Sequence, residues 1–183
     1  MKIASKELLQ DLVERTRKNI NEAEKYNQLP IEQLNWRNTP ESWSILECLE
    51  HLNLYGDFYL PEIENRMLTS KRKNVPVFTS GLLGNYFAKM MLPREKLNTM
   101  KTFKDKNPIN SDLDEKCIDR FIAQQHKTLE LLDIARNKDL SKIKTSISIS
   151  KWITLKLGDT FRVLIYHNQR HIAQCNKIVN SYS

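Results

Sequence analysis

The sequence predicts an all-α protein, a four-helix bundle with a short extra helix inserted between the second and third long helices. Three observations carry that expectation. Four long stretches hold apolar residues at helical spacing. The 183 residues include only four glycines and six prolines, too few for a sheet protein with many turns. A single tract, TSISISKWITLKLG from Thr145, alternates in part, as a short strand or an extended crossover would. The length fits one domain over residues 1–183. A composition of 40% hydrophobic and 28% charged residues is that of an ordinary soluble chain able to bury a core.

The first helix is expected over residues 5–29, where Leu8, Leu12, Ile20 and Ala23 lie near helical spacing. It should end before Pro30, which disfavours helical geometry in the preceding residue. IEQLNWRNTPES then reads as a surface connector. The second helix opens at Ser44, because Ser44 and Glu47 match a capping box, in which each side chain satisfies a free backbone donor of the other. Ile45, Leu49, Leu52, Tyr59, Ile63 and Met67 form its apolar stripe. Pro61 within the stripe predicts a kink or a local break. KRKNVPVFTSG reads as a loop. GLLGNYFAKMML, stopped by Pro93, predicts a short apolar helix that packs on the bundle, too short to span a membrane. The third long helix is placed from Ser111 or Asp112 to about Lys138, with Ile118, Phe121, Ile122, Leu129 and Leu132 inward. The last runs from Gly158 and Asp159 to about Val179. The four long helices are expected to be antiparallel or nearly so.

Charge and cysteine usage narrow the function classes. The net charge is +7, but the basic residues are interleaved with acids, as in KELLQDLVERTRK. The one dense patch, Lys71-Arg72-Lys73, falls in a loop, with no aromatic–basic pattern or recognition-helix motif. A solvated basic face is expected, and no nucleic-acid partner. MKIASKELLQ has no apolar run fit for a signal peptide, and no stretch approaches membrane-spanning length. Cys48, Cys117 and Cys175 are an odd number without a CxxC, which reads as reduced thiols in a cytoplasmic protein.

Chemistry-bearing residues concentrate in two places. On the last helix, Phe161, Leu164, Ile165, Ile172, Cys175 and Val179 form the apolar face, with His167 and His171 on its shoulder. Arg162, Gln169 and Arg170 are assigned to the polar opposite face. On the second helix, His51 lies at the shoulder of the stripe, flanked by Cys48, Tyr55 and Phe58. Imidazole is the commonest nitrogen ligand for divalent metals, and two at i and i+4 can ligate one ion from one helical face. A third from another helix would make a three-ligand site with an open position. The alternative is boundary histidines hydrogen-bonded to neighbours. Gln174 suits either a ligand-orienting amide or a polar boundary position. Cys48 and Cys175, each about one turn from a histidine, suit a fourth ligand or a reactive thiol but read first as small core residues; His126 reads as surface or boundary, and Trp43 as packing at the start of the second helix.

Together, WSILECLEHL (Trp43 to Leu52) and HNQRHIAQ (His167 to Gln174) resemble the two signature stretches of the DinB-like superfamily, the damage-inducible or YfiT-like metal-binding helical bundles. The likeness extends from about Trp36 to the C-terminus. It implies a metal triad of His51, His167 and His171, and a divalent ion such as zinc or nickel. It also implies a thiol-dependent transferase that takes a low-molecular-weight thiol and an electrophilic substrate. A metal-dependent hydrolase and a non-catalytic metal- or ligand-binding bundle are the alternatives, and a homodimer stays open as the assembly. No Glu stands between the late histidines, so the general base of an HExxH protease is absent. The insertion around residues 81–93 and the tract at residues 144–157 lie outside the shared motifs and are expected to shape a pocket particular to this chain.

Overall fold

Four long helices dominate the chain. The computed structural model describes residues 1–93, 102–148 and 150–182. In chain order these form β1 (Lys2–Ala4), α1 (Ser5–Tyr26), α2 (Ile31–Leu34), α3 (Ile45–Thr69), β2 (Val77–Thr79) and α4 (Leu82–Met91). A 3-10 turn (Lys104–Lys106), α5 (Lys116–Ala135), β3 (Lys144–Ile147), β4 (Ser150–Lys156) and α6 (Leu157–Ser181) follow. The described residues are thus mostly helical, with two small two-stranded sheets, β1–β2 and β3–β4, both antiparallel.

Several boundaries differ from the sequence expectation, each for a local reason. The first helix stops at Tyr26, and the connector contains the single-turn α2. The expected loop before α4 contributes β2, paired to the N-terminal β1, and Ser5 at the head of α1 donates to the Val75 carbonyl at 2.7 Å. Pro61 lies inside an unbroken α3, although it cannot donate the usual backbone bond. The third long helix begins at Lys116 rather than at Ser111 or Asp112. Asn110, at a φ of 64°, is anchored by its N–H to Glu47 Oε1 at 2.6 Å, and the acids after it span from that anchor to the helix. The partly alternating tract forms the β3–β4 hairpin. The capping box is present: Glu47 N–H donates to Ser44 Oγ at 3.2 Å, and Ser44 N–H to Glu47 Oε2 at 2.9 Å.

The long helices touch in a ring, α1 to α5, α5 to α3, α3 to α6 and α6 to α1. Their polar contacts give the directions. Glu50 pairs with Arg120 at 3.1 Å and Glu64 with Lys127 at 2.7 Å, so α3 and α5 run parallel. Arg15 reaches Gln169 at 2.8 Å and Tyr26 reaches Asn176 at 2.7 Å, so α1 and α6 also run parallel. Cys175 abuts the Ile45 carbonyl while His167 meets His51, so α3 and α6 are antiparallel. The expectation that all four run antiparallel is therefore corrected for two neighbouring pairs. A long connection over residues 70–115 returns the chain to the starting end, as parallel neighbours require.

Two apolar clusters fill the ring. One includes Leu12, Ile63, Met67, Leu131 and Phe161, the other Tyr26, Leu34, Leu49, Phe121 and Cys175. Buried polar groups lie among them. Asn168 donates to Gln125 at 3.0 Å, and Asn53 to the Cys117 carbonyl at 3.0 Å. Such pairing removes most of the cost of burying amides.

Helix α4 packs on α6, burying Gly84 and Ala88 and leaving Leu82, 96% exposed, on its outer side. Its start is clamped by Asp159. That carboxylate accepts from Ser80 Oγ, from Gly81 N–H at 2.8 Å and from Arg162 at 3.0 Å, and the Arg162–Asp159 pair is buried. Arg162 also reaches Asn85 at 3.3 Å. Arg162 is therefore not on a solvated face: α4 covers it. A Cβ at Gly84 would fall 2.5 Å from Asp159 atoms that are already held, whereas one at Gly81 would meet Asp159 at 3.5 Å, an ordinary contact. We expect Gly84→Ala to destabilise the fold by about 1–3 kcal/mol through overpacking, and Gly81→Ala to change stability little. Denaturant midpoints of the two variants check the contrast; equal midpoints would show that α4 is not clamped there.

Candidate metal centre

Helical spacing places His167 and His171 on one face of α6, and the antiparallel α3 brings His51 against them. Their Nε2 atoms form the cluster: His51 to His167 is 3.2 Å and His171 to His167 is 3.1 Å. All three side chains are buried, and their ligand atoms lie within 4.8 Å of one another.

Hydrogen bonds orient two of the rings. His51 Nδ1 is 2.6 Å from the Lys106 carbonyl. A carbonyl only accepts, so Nδ1 carries the proton and Nε2 presents a lone pair. His171 Nδ1 is 3.0 Å from Gln174 Oε1, which fixes the same tautomer. His167 Nε2 therefore faces two acceptors and can offer them at most one proton. A cation accepts from all three at once. Nitrogens bound to one tetrahedral zinc stand about 3.3–3.4 Å apart, from bond lengths of about 2.0–2.1 Å. The two separations to His167 are a few tenths of an ångström shorter and the remaining pair lies within 4.8 Å, so ring rotations bring the donor set onto one divalent ion.

Burial also keeps these rings neutral. It pushes His51 down to about 4, against the effect of its Lys106 hydrogen bond, and His171 down to about 3, aided by the neighbouring His51. His167 is driven well below the ordinary histidine range by burial and then by His171 and His51. Lone pairs are thus available at neutral pH without displacing a proton from a charged ring.

Aromatic rings wall the cluster. The Trp43 ring lies 4.6 Å from that of His51 and 5.7 Å from that of His171, and the Tyr55 ring lies 4.9 Å from that of His167. Trp43, read as packing from the sequence, thus lies against the cluster and donates from Nε1 to Asn107 at 3.0 Å. Glu47 ties the surroundings together. Its buried carboxylate accepts from Arg37 at 2.9 and 2.5 Å as well as from Ser44 and Asn110. The capping residue of α3 therefore anchors the loop that supplies the Lys106 carbonyl.

The histidines open on a cleft of about 1040 Å³. Phe87, Met90 and Met91 of α4 and Ile147 and Leu155 of the hairpin line it, so both segments outside the signature motifs do shape the pocket. Arg170, assigned to a polar outer face by the sequence, is buried and also lines the cleft, and Gln169 is half-buried beside Arg15. Cys48 and Cys175 are fully buried in the core and do not line the cleft, and burial pushes the Cys48 thiol up. His126 is exposed on α5. Tyr55, one turn beyond His51 on the same face, flanks it as the spacing indicates, and its ring also meets His167. No sequence signal marks the Lys106 carbonyl, because a backbone acceptor has no side-chain signature.

The DinB superfamily family model matches residues 12–175. This chain belongs to the DinB superfamily. No curated protein and no solved structure matches it. Among the described residues, no helix is long and apolar enough to cross a membrane.

The pH dependence of the metal-free chain follows from the histidines. Unfolded histidine titrates near pH 6.5, and the folded values lie lower. The unfolded chain therefore binds more protons between roughly pH 3 and 6.5, so stability is fully present above that window and falls as the pH drops through it. We expect the metal-free protein to lose several degrees of Tm between pH 7 and 5, and His51→Gln to lose less. Identical acid slopes in thermal scans of the two would contradict the neutral, buried cluster.

Proposed function

We propose that this protein is a divalent-metal-dependent enzyme on a single four-helix-bundle domain, and that it transfers a low-molecular-weight thiol to an electrophilic carbon. His51, His167 and His171 are the ligands, and zinc or nickel the metal. The observation that carries the reading is the convergence of three neutral Nε2 atoms at one end of an open cleft. Three protein ligands leave a coordination position for water or substrate. Free, unbridged cysteines support a reducing, cytoplasmic setting.

A divalent cation held there favours the thiolate of a substrate over its thiol, because a nearby positive charge stabilises the anion. The chain's own groups do the rest. Lys106 and Gln174 hold the proton on Nδ1 of His51 and His171, which keeps Nε2 aimed at the common point. Trp43 and Tyr55 cover the rings and keep bulk water from them. Burial pushes the Tyr55 phenol up to about 12, so it retains its proton at neutral pH and can donate to a departing group. The sulfur forms its bond to carbon, the leaving group departs with its electron pair, and the thiol proton passes to solvent. Hydrolysis is less well served, since Glu41 is the one carboxylate among the described residues lining the cleft.

Purified protein should hold close to one divalent metal per chain by elemental analysis. Replacing any one of the three histidines by Ala should remove most of it, with the helical circular dichroism largely unchanged. Metal-loaded protein should consume 1-chloro-2,4-dinitrobenzene with at least one small thiol, and the metal-free protein should not. Metal retained at wild-type level in all three variants would overturn the ligand assignment. Full metal loading with no turnover of any thiol would overturn the transferase reading.

A further inference from the structure

The cleft is chemically two-sided, and its two sides follow the chain. From Trp43, just before α3, the lining residues run through His51 and Tyr55 to Tyr59; along the antiparallel α6 they run from Gln174 through His171 and His167 to Leu164 and Val163. The end beside Trp43 adds Glu41, Ser42 and Asn107, with Ile109 next to Asn107 as its aliphatic member. The end beside Tyr59 is closed by Phe87, Met90 and Met91 of α4 and by Ile147 and Leu155 of the hairpin, with Ser148 its one added polar residue, its N–H 3.4 Å from the Tyr59 hydroxyl. Apart from the histidines, Glu41 and Arg170 are the lining residues with a formal charge among those described. Both lie at or before the turns of chain that carry Trp43 and His171, and neither is on α4 or the hairpin.

We infer that the arm beyond Tyr55 is the electrophile subsite, and that it takes an uncharged, largely apolar molecule. This rests on the proposed function for the reacting centre, but the binding claim stands on the arm itself. A charged substrate would lose its hydration there without a partner. An apolar one gains by removing both its own surface and that of the arm from water. Methionines at positions 90 and 91 let the wall repack around different shapes, so the arm selects for apolarity more than for outline. The polar end beside Trp43 is left for the thiol. The position of α4 decides the width of the arm, and the Asp159 clamp sets that position.

The test uses the metal-free full chain and N-phenyl-1-naphthylamine, an uncharged apolar fluorophore, so that it is independent of metal and turnover. We expect saturable binding near one molecule per chain. The double substitution Phe87→Ser with Met91→Ser should weaken it at least tenfold, and the milder Met90→Gln should weaken it severalfold with wild-type circular dichroism. Ser42→Ala should leave it unchanged. Absence of saturable binding to wild-type protein, or equal affinity in Met90→Gln and wild type, overturns the inference. Binding that also persists at wild-type strength in His51→Ala supports a separate arm. If that variant binds as weakly as the double substitution, the probe occupies the histidine end and the inference fails. Loss of metal binding alone would count against the proposed function and leave this result standing.

Discussion

Burying one neutral imidazole costs little, but burying a charged one costs several kilocalories per mole. Three imidazoles, with the Nε2 atoms of His51 and His171 at 3.2 and 3.1 Å from that of His167, sharpen that constraint. None can charge without facing the others, and two are committed to present lone pairs by the bonds at their Nδ1 atoms. The surroundings follow from holding this arrangement in place. The α3 and α6 backbones must run antiparallel at close range, Trp43 and Tyr55 must exclude water, and the loop carrying Lys106 must be fixed to within a hydrogen-bond length.

Glu47 meets the last requirement through a chain of contacts that begins as a local one. Its side chain completes the cap of α3, then also binds Arg37 and Asn110. These donors satisfy the buried carboxylate and offset the cost of taking it out of water. The same residue therefore starts the helix that carries His51 and anchors the segment that orients it. Asp159 has a comparable role at the other end of the cleft, where its buried pairing with Arg162 fixes α4. The two carboxylates bracket the cleft, one securing the end that holds the three histidines and the other the α4 wall.

Much of this was legible in the sequence, and the exceptions have physical causes. The capping box and the i, i+4 histidines depend on residues within one turn, so spacing was enough to place them. That His51 joins them could be argued from its position on the stripe, but its distance depends on how two helices pack. The strands β1 and β2 were missed because three residues show no alternation, and their pairing joins positions more than seventy residues apart. Arg162 and Arg170 look solvated on a helical wheel, and they are buried because α4 and the cleft walls cover that side of α6. Helix direction was misjudged for two neighbouring pairs because the effect of the long connection over residues 70–115 cannot be read from stripes.

The central claim is that one divalent ion is held by three imidazole nitrogens and no sulfur. X-ray absorption at the metal edge of zinc-loaded protein tests it directly. The account predicts a first shell of nitrogen or oxygen scatterers at about 2.0–2.1 Å, with the outer-shell multiple scattering of three imidazole rings. A shell with scatterers near 2.3 Å, the zinc–thiolate distance, or one with fewer than two imidazoles, would contradict it.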